Sequence, residues 1–429
     1  MILRVLATEQ LKGRVFLPAS KSYSIRAFIA SALGGESEIF HPSDCDDAVV
    51  ASQAAKAFGA QIKRTKNNGW QIRANLTNSI PAEINVKESG TTLRLILPLL
   101  CLRNQPTRII GEGTLNGRPN LFLTKAIREM GVDIRGKGEA ESVPIVIKGG
   151  VIKGGRISVN GSVSSQFISA LLMTLPLLKE DSQLRLTGKI VSQDYILMTI
   201  QILKECGIKI LQKDNRSYFI KGNQTYSGLH KFIVPSDDGL AAFLMAAAAL
   251  IKSDLTLNGR FDPRFVQADG QIYDLLTSMD VKYKKTEKLI ALRGPFRLKG
   301  GRFSLKNCPD LLPIMAVLAL FAEGTTRLCD IAHARVKESD RISDLRNELL
   351  KIGAGIKETG DQLIITPQLS YKKDCLLDPH NDHRLAMAFC VLGLKVGVAV
   401  KDIECTSKSY PGFINDFKSI GAKVLPKKK

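Results

Sequence analysis

Between Pro18 and Arg26 the chain reads PASKSYSIR, and Lys21, Ser22, Ser24 and Arg26 are side chain types suited to holding phosphate. They open an apolar helical stretch, where unpaired backbone N–H groups and the helix dipole also attract anions. Five further polar stretches precede apolar runs in the same manner, within VKESGTTL, GSVSSQF, VPSDDGL, LKNCPDLL and DPHNDHRL. Six such ends can converge on one anionic ligand. At any single end, ordinary N-capping by Ser, Asp or Asn is the commoner explanation. His383, between Asp382 and Arg384, has the type of a general acid or base, but a hydrogen-bonded structural histidine is more frequent. Cys405 has no His nearby in sequence to activate it, so packing is its expected role. The cysteines at 45, 101, 206, 308, 329, 375, 390 and 405 form no CxxC pair, and no paired His spacing accompanies them. Neither a zinc site nor a disulfide framework is expected, and the metal reading is none.

The elements that must position these residues repeat. Six times a strand-like segment runs through a polar stretch into a long apolar helix, at 11–33, 82–100, 154–178, 230–250, 300–322 and 375–394. A spacing of roughly 70 to 75 residues is the signature of structural repeats. Between them recurs a helix end followed by a strand: AAKAFGAQI, IREMGVDI, LKECGIKI, LTSMDVKY, LLKIGAGI and FKSIGAKV. Five carry Gly where a left-handed C-cap is favoured, and Asp280, which tolerates that conformation better than most residues, takes the sixth place. The pattern predicts an α/β (α+β) protein of six similar units.

With 429 residues, 44% of them hydrophobic, the chain is long enough for two or more domains. The formal charge of +20 favours anionic partners. Its basic residues are dispersed (63–66, 282–288, 427–429) and there is one Trp, so a nucleic-acid platform is not expected. The N-terminus lacks a secretory pattern, and the longest apolar runs, 240–251 and 311–322, fall short of the roughly 20 residues of a membrane span. A cytoplasmic protein without membrane partner is expected.

The ordered segments LPASKSYSIR, ESGTTLR, GRP (117–119), SSQF, VSQDY, NCPD, RVKESDRI, NDHRLAMAF and CTSKSYPGF resemble the loops of the enolpyruvyltransferase superfamily, most closely those of its EPSP synthase family. That resemblance covers nearly the whole chain. It implies two similar globular domains of three βαβαββ-like repeats each, an inside-out α/β barrel-like arrangement, with a two-crossing hinge that closes over substrate. The domains would be 1–19 with 235–429, and 20–234. The implied reaction moves the enolpyruvyl group of phosphoenolpyruvate to the 5-hydroxyl of shikimate 3-phosphate, with no cofactor, in a monomer. By the same resemblance Lys21, Gly90, Arg118, Gln166, Arg341, Arg384 and Lys408 would surround phosphoenolpyruvate. Lys21, Ser22, Arg26, Ser164, Ser165, Gln166, Ser192, Asp310 and Lys337 would hold shikimate 3-phosphate. Asp310 is the expected base for the attacking hydroxyl, held ionised by neighbouring cations; its bland alternative is an N-cap. Glu338 is expected to move protons at the methylene carbon, and Lys21 and Lys408 to act as acids among other cations.

Several residues depart from the commonest family pattern. Glu88 places a carboxylate in the glycine loop and needs a cationic neighbour, for which Arg94 is near in sequence. Gln193 and Asp194, the SDDGL run at 236–240, and His333 also differ from that pattern. The sister enzyme acting on UDP-N-acetylglucosamine generally has a Cys in the loop before GRP, and this chain has none between Cys101 and Cys206. The resemblance further implies that glyphosate-type inhibitors sit beside Gly90, so that Gly90→Ala would weaken inhibition more than substrate use.

Overall fold

The computed structural model describes residues 1–66, 68–75, 80–103 and 105–427; of the C-terminal basic run, 428 and 429 lie outside them. Among the described residues there are six four-stranded sheets of one design. In the sheet of Glu83–Asn85, Thr107–Ile110, Ser142–Gly150 and Val132–Lys137 the first pair is parallel and the next two pairs antiparallel. A parallel pair needs a crossover, and here the crossover is the helix Gly90–Leu100. The six strand-to-helix segments read from the sequence each form this strand and helix. The repeated helix ends behave as their composition predicts: Gly59, Gly131, Gly207, Gly353 and Gly421 have φ of +79° to +102°, and Asp280 has +71°.

The chain divides into two compact units, Met1–Pro18 with Pro235–Lys429, and Ala19–Val234. It passes from one to the other after Pro18 and again after Val234, and at each passage a strand is separated from the helix it leads into. Gln10–Phe16, which precedes the helix Lys21–Ser31, pairs in parallel with Lys252–Asn258. Phe232–Ile233, which precedes the helix Asp238–Leu250, pairs in parallel with Glu36–Phe40. The N-terminal strand Ile2–Val5 lies between Val398–Val400 and Val424–Lys427.

In the discontinuous unit the helices Asp238–Leu250, Leu312–Ala319 and His383–Val396 pack on one another. Every residue of the first two is buried, as expected for helices apolar all round. In the continuous unit Gly90–Leu100 packs against both Lys21–Ser31 and Ser165–Thr174. A buried helix must satisfy its first N–H groups locally. Ser20, Ser89, Ser164, Asp237 and Asp382 do so, each accepting from a backbone N–H of the first turn. The sixth start differs: a 3-10 turn Pro309–Leu311 leads into the helix, and its N-cap Cys308 makes no side-chain cap bond. All eight cysteines are free thiols. Among the described residues no helix is long and apolar enough to cross a membrane.

Candidate active site

In the discontinuous unit the charged residues gather on Arg341, the first residue of the helix Arg341–Lys351, whose N-cap Asp340 accepts from the N–H groups of Ile342 and Ser343. Its side chain is 1% exposed and meets three carboxylates. Nε donates to Asp382 Oδ2 at 2.7 Å, Nη1 to Asp310 Oδ1 at 2.6 Å, and Nη2 to Glu338 Oε2 at 2.6 Å and to Asp382 Oδ1 at 3.4 Å. Four of the five donors of a guanidinium are thereby used. Burial opposes the charge, but Asp382, Glu338 and Asp310 outweigh it and hold the guanidinium firmly protonated.

The N-cap position of the 3-10 turn Pro309–Leu311 is Cys308, and Asp310 lies inside the turn. Its second oxygen accepts from Arg384 Nη2 at 3.3 Å, and Lys337 Nζ lies 3.9 Å from the first. Desolvation pushes the carboxyl up, yet Arg341, Arg384 and Lys337 together hold it well below the usual carboxylate range. The direction matches the sequence expectation. An anion so paired is a weak base until other negative charge offsets the three cations.

Arg384, 3% exposed, is the second residue of the third core helix, where its backbone N–H is capped by Asp382. Its Nη1 donates to the Gly239 carbonyl at 3.1 Å and its Nη2 reaches Asp269 Oδ2 at 3.5 Å. Lys408 ends the 3-10 segment Ile403–Lys408 and donates to the Asn381 carbonyl at 2.8 Å. Asp310, Lys337, Glu338, Arg341 and Arg384 thus form one cluster, with Lys408 bonded one residue before Asp382. His383 is buried at 1% exposure and His333 at 5%. Burial and Asp382 push the Cys405 thiol up to about 12 against the pull of Lys408, which leaves it no nucleophile at neutral pH.

In the continuous unit, Ser20 caps the helix that begins at Lys21. Lys21, expected among cations, has Asp47 Oδ2 3.1 Å away. Ser24 serves the backbone: its hydroxyl donates to the Ser20 carbonyl and accepts from Ser43 N–H, both at 2.8 Å. Arg26, 1% exposed, donates to the Ser22 carbonyl at 3.0 Å, Thr199 Oγ1 at 2.8 Å and the Tyr195 carbonyl at 3.1 Å. It ties the first helix to Gln193–Glu205, and so ties Ser22 to the neighbourhood of Ser192. Ser164 is an N-cap, with Ser165 and Gln166 in the first turn after it. Ser192 sits before its helix at φ +55° and makes no capping bond, so the capping explanation does not cover its hydroxyl.

Gly90 and Arg118 are in close contact: a Cβ at position 90 would lie 2.7 Å from Arg118 Nη1. Gln166 is held on both sides of its amide, accepting from Arg94 Nη1 at 2.6 Å and donating to Thr91 Oγ1 at 2.9 Å. Arg94 also donates to Asn120 Oδ1 at 3.1 Å and the Pro119 carbonyl at 3.0 Å. Glu88 accepts from the N–H and hydroxyl of Thr114 at 3.2 and 3.1 Å. Gly90, Arg118 and Gln166 thus form the centre of this second cluster.

The residues that sequence reasoning missed are carboxylates: Asp47, Asp269 and Asp382. Asp382 carried a readable signal, an Asp directly before an apolar helix. Asp47 and Asp269 lie far in sequence from Lys21 and Arg384 respectively, and no local pattern marks them.

Among the departures, Asp238 carries a stability consequence. Its carboxylate is 6% exposed and accepts from Tyr273 Oη at 2.7 Å. Desolvation raises its pKa to about 6 against the pull of Lys285 and the Tyr273 bond. A carboxyl raised above its unfolded value stabilises the fold when protonated, and that contribution is lost as pH rises from about 4 through about 6. Asp238→Asn, which keeps an oxygen for Tyr273, is expected to stabilise the protein by about 2 kcal/mol at pH 8 and hardly at all at pH 4. Denaturant melts at both values check this; an equal effect at the two would refute it.

Among the described residues no group of three or more His, Cys, Asp or Glu side chains is placed to hold a metal ion. The first cluster sets Lys337, Arg341 and Arg384 among the carboxylates of Asp310, Glu338, Asp382 and Asp269, groups able to bind anions and to move protons.

The fold is that of the enolpyruvyl transferases. An EPSP synthase structure from Acinetobacter baumannii superposes with a TM-score of 0.80 at 24% identity, covering 99% of both chains. The enolpyruvyl transferase NikO from Streptomyces tendae gives 0.79 at 18% identity, covering 99% of this chain and 98% of that one. Residues 5–417 match the family EPSP synthase (3-phosphoshikimate 1-carboxyvinyltransferase). Curated proteins named 3-phosphoshikimate 1-carboxyvinyltransferase are similar over 98% of both chains: the one from Methanosarcina mazei is 37% identical and that from Methanosarcina acetivorans 35%. The chain belongs to the EPSP synthase family.

Proposed function

We propose that the chain transfers the enolpyruvyl group of phosphoenolpyruvate to the 5-hydroxyl of shikimate 3-phosphate, releasing 5-enolpyruvylshikimate 3-phosphate and phosphate, a step in making chorismate and the aromatic amino acids. Full-length membership of the family supports the substrate pair. The observation that carries the chemistry is Asp310, ionised between Arg341, Arg384 and Lys337 and sharing Arg341 with Glu338.

In the proposed sequence the 5-hydroxyl oxygen forms a bond to C2 of phosphoenolpyruvate, its proton goes to Asp310, and C3 gains a proton to become a methyl. The C2–O bond to phosphate then breaks, phosphate leaves, and a proton returns from C3 to the protein to restore the vinyl group. Glu338 is assigned to protonating and later deprotonating C3, and Lys21 or Lys408 to protonating the departing phosphate. The substrates' phosphates and carboxylates supply the negative charge that relieves Asp310 of its cationic neighbours, so the base strengthens only once both are bound. Arg118, Arg341, Arg384, Lys408 and Lys21 with Gly90 and Gln166 are assigned to phosphoenolpyruvate. Ser22, Arg26, Ser164, Ser165, Gln166, Ser192, Asp310, Lys337 and Lys21 are assigned to shikimate 3-phosphate. The reaction is assigned to a single chain in the cytoplasm.

Addition followed by elimination passes through a methyl group, which gives the test. Turnover in D2O is expected to place deuterium in the vinyl group of the product, and only when both substrates are present. Product without deuterium would rule out this route.

Gly90→Ala is expected to impair substrate use as well as any inhibition. The added methyl would sit 2.7 Å from Arg118 Nη1 and 2.8 Å from Cζ, so the guanidinium must move. A displacement approaching 1 Å costs on the order of 10- to 100-fold, and it should appear mainly as a higher KM for phosphoenolpyruvate with the melting temperature little changed. Unaltered KM would place Arg118 outside the phosphoenolpyruvate site.

A further inference from the structure

Arg384 is a long side chain with many rotamers, yet it is almost wholly buried and bonded by groups from three other segments of its own unit. The carbonyl of Gly239, in the first turn of the helix Asp238–Leu250, accepts from Nη1 at 3.1 Å, and Asp269 Oδ2, in the 3-10 turn Ala268–Gln271, lies 3.5 Å from Nη2. Asp310 Oδ2 lies 3.3 Å from the same nitrogen.

The two outer groups are matched to each other. A Cβ at position 239 would lie 2.3 Å from Asp269 Oδ2 and 2.9 Å from Arg384 Nη1, so any side chain there would collide with both the carboxylate and the guanidinium. Glycine at 239 is what lets Asp269 and Arg384 meet over that backbone. Asp269 is 6% exposed, and a carboxylate is buried at such a position only when cationic and hydrogen-bonding groups repay its desolvation.

We propose that Asp269 and Gly239 are positioning residues that aim Arg384 at the anionic substrate; Asp269 itself touches no reacting atom. The inference rests on the assignment of Arg384 to phosphoenolpyruvate. Its sign separates it from a purely electrostatic role. Removing a negative charge beside Arg384 leaves the site more positive and, by charge alone, tightens anion binding. Losing the support of the guanidinium loosens it, because a freed side chain must be ordered again at each binding event. Positioning therefore predicts weaker binding on removal of an anionic side chain.

The test is a double-mutant cycle read by the KM for phosphoenolpyruvate at saturating shikimate 3-phosphate, with calorimetry for shikimate 3-phosphate alone. Asp269→Ala is expected to weaken phosphoenolpyruvate about tenfold in the wild-type background, and by less than about twofold in an Arg384→Ala background, where there is nothing left to aim. Asp269→Asn, which keeps an acceptor, should recover most of the affinity, and Gly239→Ala should imitate Asp269→Ala. Affinity for shikimate 3-phosphate alone should stay within about twofold. Tighter binding on Asp269→Ala, an equal loss in both backgrounds, or Gly239→Ala behaving as wild type would overturn the positioning role. Should Asp269→Ala fail to fold, Gly239→Ala closes the same cycle with Arg384→Ala. A wild-type protein that neither binds nor consumes phosphoenolpyruvate would be a separate result, refuting the function and this inference with it.

Discussion

Asp310→Asn is expected to lower kcat by about three orders of magnitude, within the range that general base catalysis contributes, without weakening either substrate. The asymmetry follows from the neighbours. Arg341, Arg384 and Lys337 already hold Asp310 as an anion, so the substitution removes one negative charge from among three cations. Polyanionic substrates then meet a more positive site, and their KM values should stay level or fall. The pH profile offers a second reading. Because the carboxyl lies well below its ordinary value, it is ionised across pH 5 to 8, and no loss of rate in that range is expected from its protonation. Near-normal kcat in the variant would remove Asp310 from the mechanism; a large rise in KM with kcat retained would make it a binding residue instead.

The second large effect is on stability. Arg341→Met should cost about 3 to 5 kcal/mol, as breaking a buried ion cluster does, because it leaves Asp310, Glu338 and Asp382 side by side with their shared cation gone. In a unit of some 200 residues that is a fall of roughly 10 °C in melting temperature. The sign of the pH dependence is fixed by Asp310. A carboxyl with a depressed folded pKa contributes stability above its unfolded value near 4, and loses it as pH falls through the folded value. The gap between wild type and variant should therefore be full at pH 7 and shrink below about pH 4. A cost under 1 kcal/mol at pH 7 would contradict the picture of Arg341 as the hub of the cluster.

These two residues also show where a sequence is informative and where it is not. The capped starts of the buried helices and the glycine ends of the helices between them were legible because each is a local pattern: Ser89 three residues before Thr92, or Gly353 just past the helix Arg341–Lys351 at φ +80°. Asp280 at φ +71° shows that the pattern outlasts the glycine. Asp310, Glu338 and Arg341 could be named from the family loops, but not the geometry that gives Arg341 three carboxylates, since these come from three segments separated by up to 72 residues, from 310 to 382. Serines were the least legible. Ser24 proved to serve the backbone, Ser164 is a cap, and Ser192 caps nothing, although all three occur in the same kind of polar stretch. Asp269 had no signal at all, because its partner Arg384 is 115 residues away and the glycine that lets them meet is in a third segment.

The most direct measurement of the central claim is phosphate release by the purified protein supplied with phosphoenolpyruvate and one acceptor at a time. Release with shikimate 3-phosphate, at a turnover that Asp310→Asn lowers about a thousandfold, and none with UDP-N-acetylglucosamine, is the predicted result. Silence with shikimate 3-phosphate and release with UDP-N-acetylglucosamine would contradict it.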